Sequence, residues 1–83
     1  MKTRRGISGD ELVKLLQQFG YRVAKQKGSH MKLTTTQKGE HHLIVPRHGA
    51  VRVGTLHRIM SEVAGHFEMD LSQVRTALFG DSR

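Results

Sequence analysis

The apolar residues of this 83-residue chain change their spacing twice, and that change constrains the fold more than any other feature. Leu12, Leu15, Leu16 and Phe19 recur at i, i+3, i+4 and i+7, the stripe of an amphipathic helix. Ser8 stands three residues before Glu11, the spacing of a capping box in which hydroxyl and carboxylate each satisfy a backbone N–H at a helix start. Gly20 follows where a left-handed C-terminal cap is needed. The pattern predicts a helix over residues 9–19. From Tyr21 the period drops to two: residues 21–27 alternate loosely, residues 30–36 alternate clearly, and Lys27-Gly28-Ser29 is turn material between them. His41-His42-Leu43-Ile44-Val45 is a β-branched run closed by Pro46, which cannot donate to a ladder and belongs at a strand end. Strands are therefore predicted over 21–27, 30–36 and 41–46. Helical spacing returns at Leu56, Ile59, Met60 and Val63, predicting a helix over 55–64 that Gly65 ends. Asp70, with Gln73 three residues on, opens a last short helix over 70–79 through Leu71, Val74, Ala77 and Leu78.

The order α-β-β-β-α-α predicts an α+β domain spanning residues 1–83: a three-stranded antiparallel sheet with helices on one face and the other face free. With no cysteine, the core has to be held by packing alone, which excludes a disulfide-stapled miniprotein, a thiolate nucleophile and a zinc ribbon. The four methionines read as core filler. If Met31 and Leu33 face the helices, period two places His30, Lys32 and Thr34 together on the free face. No apolar run approaches the roughly 20 residues that span a bilayer, and capping and helix signals occupy the first 20 positions, so no membrane association and a cytoplasmic location are expected.

Charge is concentrated in the middle. Of the formal net charge of +7, residues 21–52 hold seven bases (Arg22, Lys25, Lys27, Lys32, Lys38, Arg47 and Arg52) against Glu40 alone. Four of the six histidines, His30, His41, His42 and His48, fall in the same stretch. A basic surface of this kind attracts polyanions, nucleic acid first among them, although a surplus of bases also serves plain solubility.

The inventory of catalytic groups is short. One acid in the basic middle leaves no carboxylate cluster for Mg²⁺ and no carboxylate pair for glycosidase-type chemistry. Neither a Gly-x-x-x-x-Gly-Lys-Ser/Thr loop nor a Gly-x-Gly-x-x-Gly run is present to cradle a nucleotide cofactor, so no cofactor is expected. His41 and His42 are adjacent on a predicted strand and so point to opposite faces, which argues against a metal pair. What remains is imidazole among cations. A histidine near neutral pKa can take the proton from an RNA 2′-hydroxyl or give one to a departing 5′-oxygen, while Lys and Arg neutralise charge on phosphorus.

Arg22-x-x-x-Gln26-Lys27-Gly28-Ser29-His30, preceded by the helix from Glu11 to Tyr21 and followed by Val45-Pro46-x-His48 and Gly54-Thr55-Leu56-x-x-Ile59, resembles the HicA toxins, a family of small mRNA interferases. The resemblance covers about residues 8–65. It implies a double-stranded-RNA-binding-domain-like α-β-β-β-α fold, metal-independent endoribonuclease activity centred on His30, mRNA as substrate and a HicB-type antitoxin as partner. Two stretches depart from the family pattern: the loop Arg47–Val53 keeps His48 but has its own sequence, and the tail is longer, with His66 to Met69 inserted before the final helix.

Around His30, Lys27, Lys32 and Arg47 are candidate phosphate contacts, while strand-edge lysines also serve to block aggregation. His48 is either a second acid/base or an ordinary loop histidine. Gly28 meets the needs of a turn, and Ser29 orients His30 or contacts phosphate; as a nucleophile it lacks a triad. A non-catalytic RNA-binding module and a protein that chiefly engages an acidic partner stand as alternatives.

Overall fold

The computed structural model describes residues 7–47 and 49–80; His48 and the two termini lie outside the described residues. Both capping boxes form. Ser8 accepts from the Glu11 N–H at 3.1 Å while the Glu11 carboxylate takes the Ser8 N–H at 2.9 Å, starting α1 (Gly9–Leu16). A 3-10 turn over Gln17–Phe19 completes the predicted first helix, and Gly20 ends it at φ 85°. At the other end of the chain, Asp70 and Gln73 make the second box and open α3 (Leu71–Phe79).

The strands are β1 (Arg22–Lys27), β2 (His30–Thr35) and β3 (His41–Pro46), antiparallel in the order β1-β2-β3. Met31 pairs with Val45 and Leu33 with Leu43, and these four side chains form the buried sheet face. Against them pack Leu12 and Leu16 of α1, Ile59, Met60 and Val63 of α2 (Val53–Phe67), and Val74 and Leu78 of α3. The described helices thus all pack on one face. The architecture is α+β and agrees with the double-stranded-RNA-binding-domain-like arrangement, with α3 added at the C-terminal end.

Two features depart from the sequence-based expectation. Helix α2 runs from Val53 to Phe67, not over 55–64, and passes through Gly65 without a break. A helical glycine costs only about 1 kcal/mol relative to alanine. The extra turn outweighs that cost: Phe67 packs on Phe19 at 5.1 Å and Tyr21 at 6.2 Å between ring centroids, and His66 stacks on His41 at 4.6 Å. Glu68, left-handed at φ 58°, ends the helix instead.

The second departure is a bulge in β1. Val23 pairs with Leu33 and Lys25 with Lys32, so Ala24 is an extra residue in that strand. A bulge shifts the alternation by one. Arg22, Lys25 and Lys27 therefore all share the free face with Thr34, Lys32 and His30, their cross-strand partners.

Several segments converge at the His30 end of the sheet. The Arg47 N–H donates to the Ser29 carbonyl at 2.7 Å, the Val51 N–H donates to the Ile7 carbonyl at 2.8 Å, and Ser8 bridges to Ala50. Gly9 lies so close to the Pro46 carbonyl that a side chain there has no room. The start of α1, the β1–β2 turn, the end of β3 and the approach to α2 are thereby tied together.

Candidate active site

His30 is the first residue of β2, opposite Lys27 across a two-residue turn and opposite Pro46 on β3. Gly28, at φ 59°, takes the first central position of that turn, as a type II′ hairpin requires. The backbone bond between Ser29 and Arg47 clamps the turn to β3, so His30 rests on a fixed corner. Its side chain is exposed and makes no hydrogen bond or ion pair with any described residue. It lines an open depression of about 340 Å³, whose other walls are Ile44, Pro46, Ala50, Arg52, Thr55 and Arg58.

On the free face, Lys25 stands directly opposite Lys32, and Lys27 is beside His30. Like charges opposite one another across two strands destabilise a sheet. Among the described residues no acid pairs with Arg22, Lys25, Lys27 or Lys32; the one acid of the segment, Glu40, is held by His42 at 2.9 Å, which in turn bonds Thr34. The free face is thus a cationic stripe that leads to the corner occupied by His30.

The predicted site residues do not all gather. Lys27, Gly28, Ser29 and Lys32 surround His30 through the turn and the strand register, as expected. Arg47 anchors the turn through its backbone, but its side chain points to α1 and pairs with Asp10 at 3.8 Å. His48 falls outside the described residues. Sequence reasoning missed Arg52, Thr55 and Arg58 as neighbours of His30. Their spacing of three residues, which runs from the N-cap Arg52 along the flank of α2 that borders Ile59, is the signal that would have found them.

Among the described residues, no three His, Asp or Glu side chains come together as a metal site. His41 and His42 do point to opposite faces. The Tyr21 hydroxyl and His41 Nδ1 share a hydrogen bond of 2.8 Å, and His66 Nε2 donates to the carbonyls of Gln37 at 2.8 Å and Gly39 at 3.1 Å. Burial pushes the Tyr21 phenol up to about 12, helped by the Glu62 charge. Burial also lowers the His41 pKa; His66 and His42 act in the same direction and Glu62 opposes them. The unfolded chain therefore accepts a proton at His41 that the folded chain refuses. Stability is expected to fall as pH drops through 6.5, the ordinary histidine value, and to level off below the depressed folded value. Urea midpoints across this range test it: a His41→Gln variant should have a shallower pH slope than wild type, and identical slopes would contradict the assignment to His41.

The family described as the HicA toxin of bacterial toxin–antitoxin systems matches residues 9–65, more than half of the sequence. The chain belongs to the HicA toxin family. No curated protein and no solved structure matches the chain significantly. The HicA match takes in α1, the whole sheet, His30 and the depression beside it, and ends inside α2, so His66, Phe67 and α3 lie beyond it. Membership assigns the chain to toxins that work within a toxin–antitoxin pair, which implies an antitoxin partner. No described helix is long and apolar enough to cross a membrane.

Proposed function

We propose that this HicA-family toxin is a metal-independent endoribonuclease that cleaves mRNA in the cytoplasm, with His30 as its acid/base. The observation that carries the reading is the position of His30: an imidazole that bonds to no described residue, on a corner clamped by the Ser29–Arg47 backbone bond, lining a depression shared with two arginines and lying at the end of a lysine stripe. The stripe, with Lys27 and Lys32 nearest, holds the RNA backbone, and Ser29 and Gly28 fix where His30 stands. His30 takes the 2′-hydroxyl proton as the 2′-oxygen bonds to phosphorus and the bond from phosphorus to the 5′-oxygen breaks. The departing 5′-oxygen is protonated from the imidazolium or from water, leaving a cyclic phosphate and a 5′-hydroxyl. DNA, which lacks the 2′-hydroxyl, is not a substrate.

The partner in this reading is a HicB-type antitoxin with an acidic surface. The charge concentrated on the free face steers an acidic protein as effectively as it steers RNA, and a protein seated there closes the route to His30.

The test is incubation of the purified chain with RNA and with DNA of the same sequence in excess EDTA, followed by mass analysis of the termini. Cleavage of RNA alone, with cyclic or 3′-phosphate ends, is expected. Ends bearing 3′-hydroxyls, or cleavage abolished by EDTA, would overturn the mechanism. RNA binding without any cutting would favour a non-catalytic binding module.

A further inference from the structure

The depression beside His30 has two unlike walls. Ile44, which is 44% exposed, and Pro46 make an apolar wall on the sheet side. Arg52, Thr55 and Arg58 make a cationic wall on the α2 side. Two arginines line one small concavity, and the fold supplies little to offset their charge. Among the described residues Arg52 pairs with no acid, and Arg58 bonds Glu62 alone, one turn along its own helix, at 2.9 Å. An exposed pair of that kind is weak and leaves most of the five guanidinium donors available.

The helix end at this wall has the same polarity. α2 has no acidic residue in its first turn and no side-chain cap, and its first internal bond is from the Leu56 N–H to the Arg52 carbonyl at 2.9 Å. The N–H groups of Val53, Gly54 and Thr55 are therefore free of intrahelical partners and add the positive end of the helix dipole to the two guanidiniums. The first turn has space as well: a side chain at Gly54 would meet nothing within 4 Å.

We propose that this depression is a phosphate subsite for the scissile group of RNA, with Arg52 and Arg58 gripping the non-bridging oxygens while the attached ribose or base rests on Ile44 and Pro46. His30, on the rim, reaches the 2′-oxygen of the same nucleotide. As the 2′-oxygen adds to phosphorus, negative charge grows on the non-bridging oxygens, and planar guanidinium donors bind it in pairs. Arg58 thus stabilises charge that is greatest in the transition state. The choice of substrate rests on the ribonuclease reading; the affinity for phosphate does not.

The subsite is tested by titrating the isotope-labelled full chain with inorganic phosphate at constant ionic strength and following the Arg Nε–H, backbone amide and histidine ring signals. Saturable shifts are expected at Arg52, Arg58, Gly54, Thr55 and His30. Arg58→Gln should weaken this binding roughly tenfold, consistent with the loss of a charge-assisted hydrogen bond, while Lys38→Gln, whose side chain pairs with Glu68, should leave it unchanged. On RNA, Arg58→Gln should lower kcat/KM at least about tenfold, through kcat as well as KM, and Arg58→Lys should restore part of the loss. Shifts that never saturate and are strongest at Lys25, Lys27 and Lys32, or phosphate binding by Arg58→Gln equal to wild type, would overturn the proposal. Saturable phosphate binding by a chain that never cleaves RNA would retire the ribonuclease reading and leave the subsite standing. RNA cleavage with no phosphate signal in the depression would retire the subsite alone.

Discussion

A chain ended at Gly65, where the HicA family match stops, is expected not to fold. The lost residues complete the core. Val74 is fully buried and Leu78 nearly so, and Phe67 packs against Phe19 and Tyr21. The Gln18 side chain also donates to the Ala77 carbonyl at 2.8 Å, tying the end of the first helix to α3. Each fully buried aliphatic side chain contributes about 1.5–3 kcal/mol, whereas a small domain retains only about 0.05–0.15 kcal/mol of net stability per residue. Truncation should therefore remove the cooperative unfolding transition altogether. Leu78→Ala is the milder version, expected to cost about 2–5 kcal/mol in urea unfolding. A truncated chain that still unfolds cooperatively, with wild-type helix content, would show that α3 is an accessory.

The same segment marks the boundary of what the sequence reveals. Capping boxes are local chemistry, so Ser8 with Glu11 and Asp70 with Gln73 announce two helix starts, and Gly20 marks a stop. Alternation in residues 30–36 places His30 and Lys32 on the free face because one face of a sheet must be buried. The end of α2 is decided by aromatic contacts from Phe67 to residues almost 50 positions away, and local propensity at Gly65 carries no trace of them. The bulge at Ala24 is likewise a matter of pairing with β2, yet it determines that Arg22, Lys25 and Lys27 share a face. The site divides in the same way. Lys27, Gly28, Ser29 and His30 are contiguous and legible as a turn. Arg52 and Arg58 join them only because the start of α2 is brought against the end of β3, and Arg47, adjacent to Pro46 in sequence, is diverted to Asp10.

Replacement of His30 by alanine is expected to lower RNA cleavage by about 10²–10⁴-fold, the contribution that a positioned general acid or base makes. The fold should not notice. The His30 side chain is exposed and bonds to no described residue, and substitutions at such positions usually change stability by no more than about 0.5 kcal/mol. The imidazole is therefore separable from the scaffold, which makes the comparison interpretable: the lysine stripe, Arg52, Arg58 and the turn all remain. RNA affinity should change little, because most of it comes from contacts between cations and phosphate. The decisive measurement is the single-turnover rate of RNA cleavage by wild type and His30→Ala in EDTA, with urea midpoints showing that both are folded. A folded variant that binds RNA and is slower by at least about 10²-fold is the expected result; a folded variant that cleaves at the wild-type rate would contradict the role of His30.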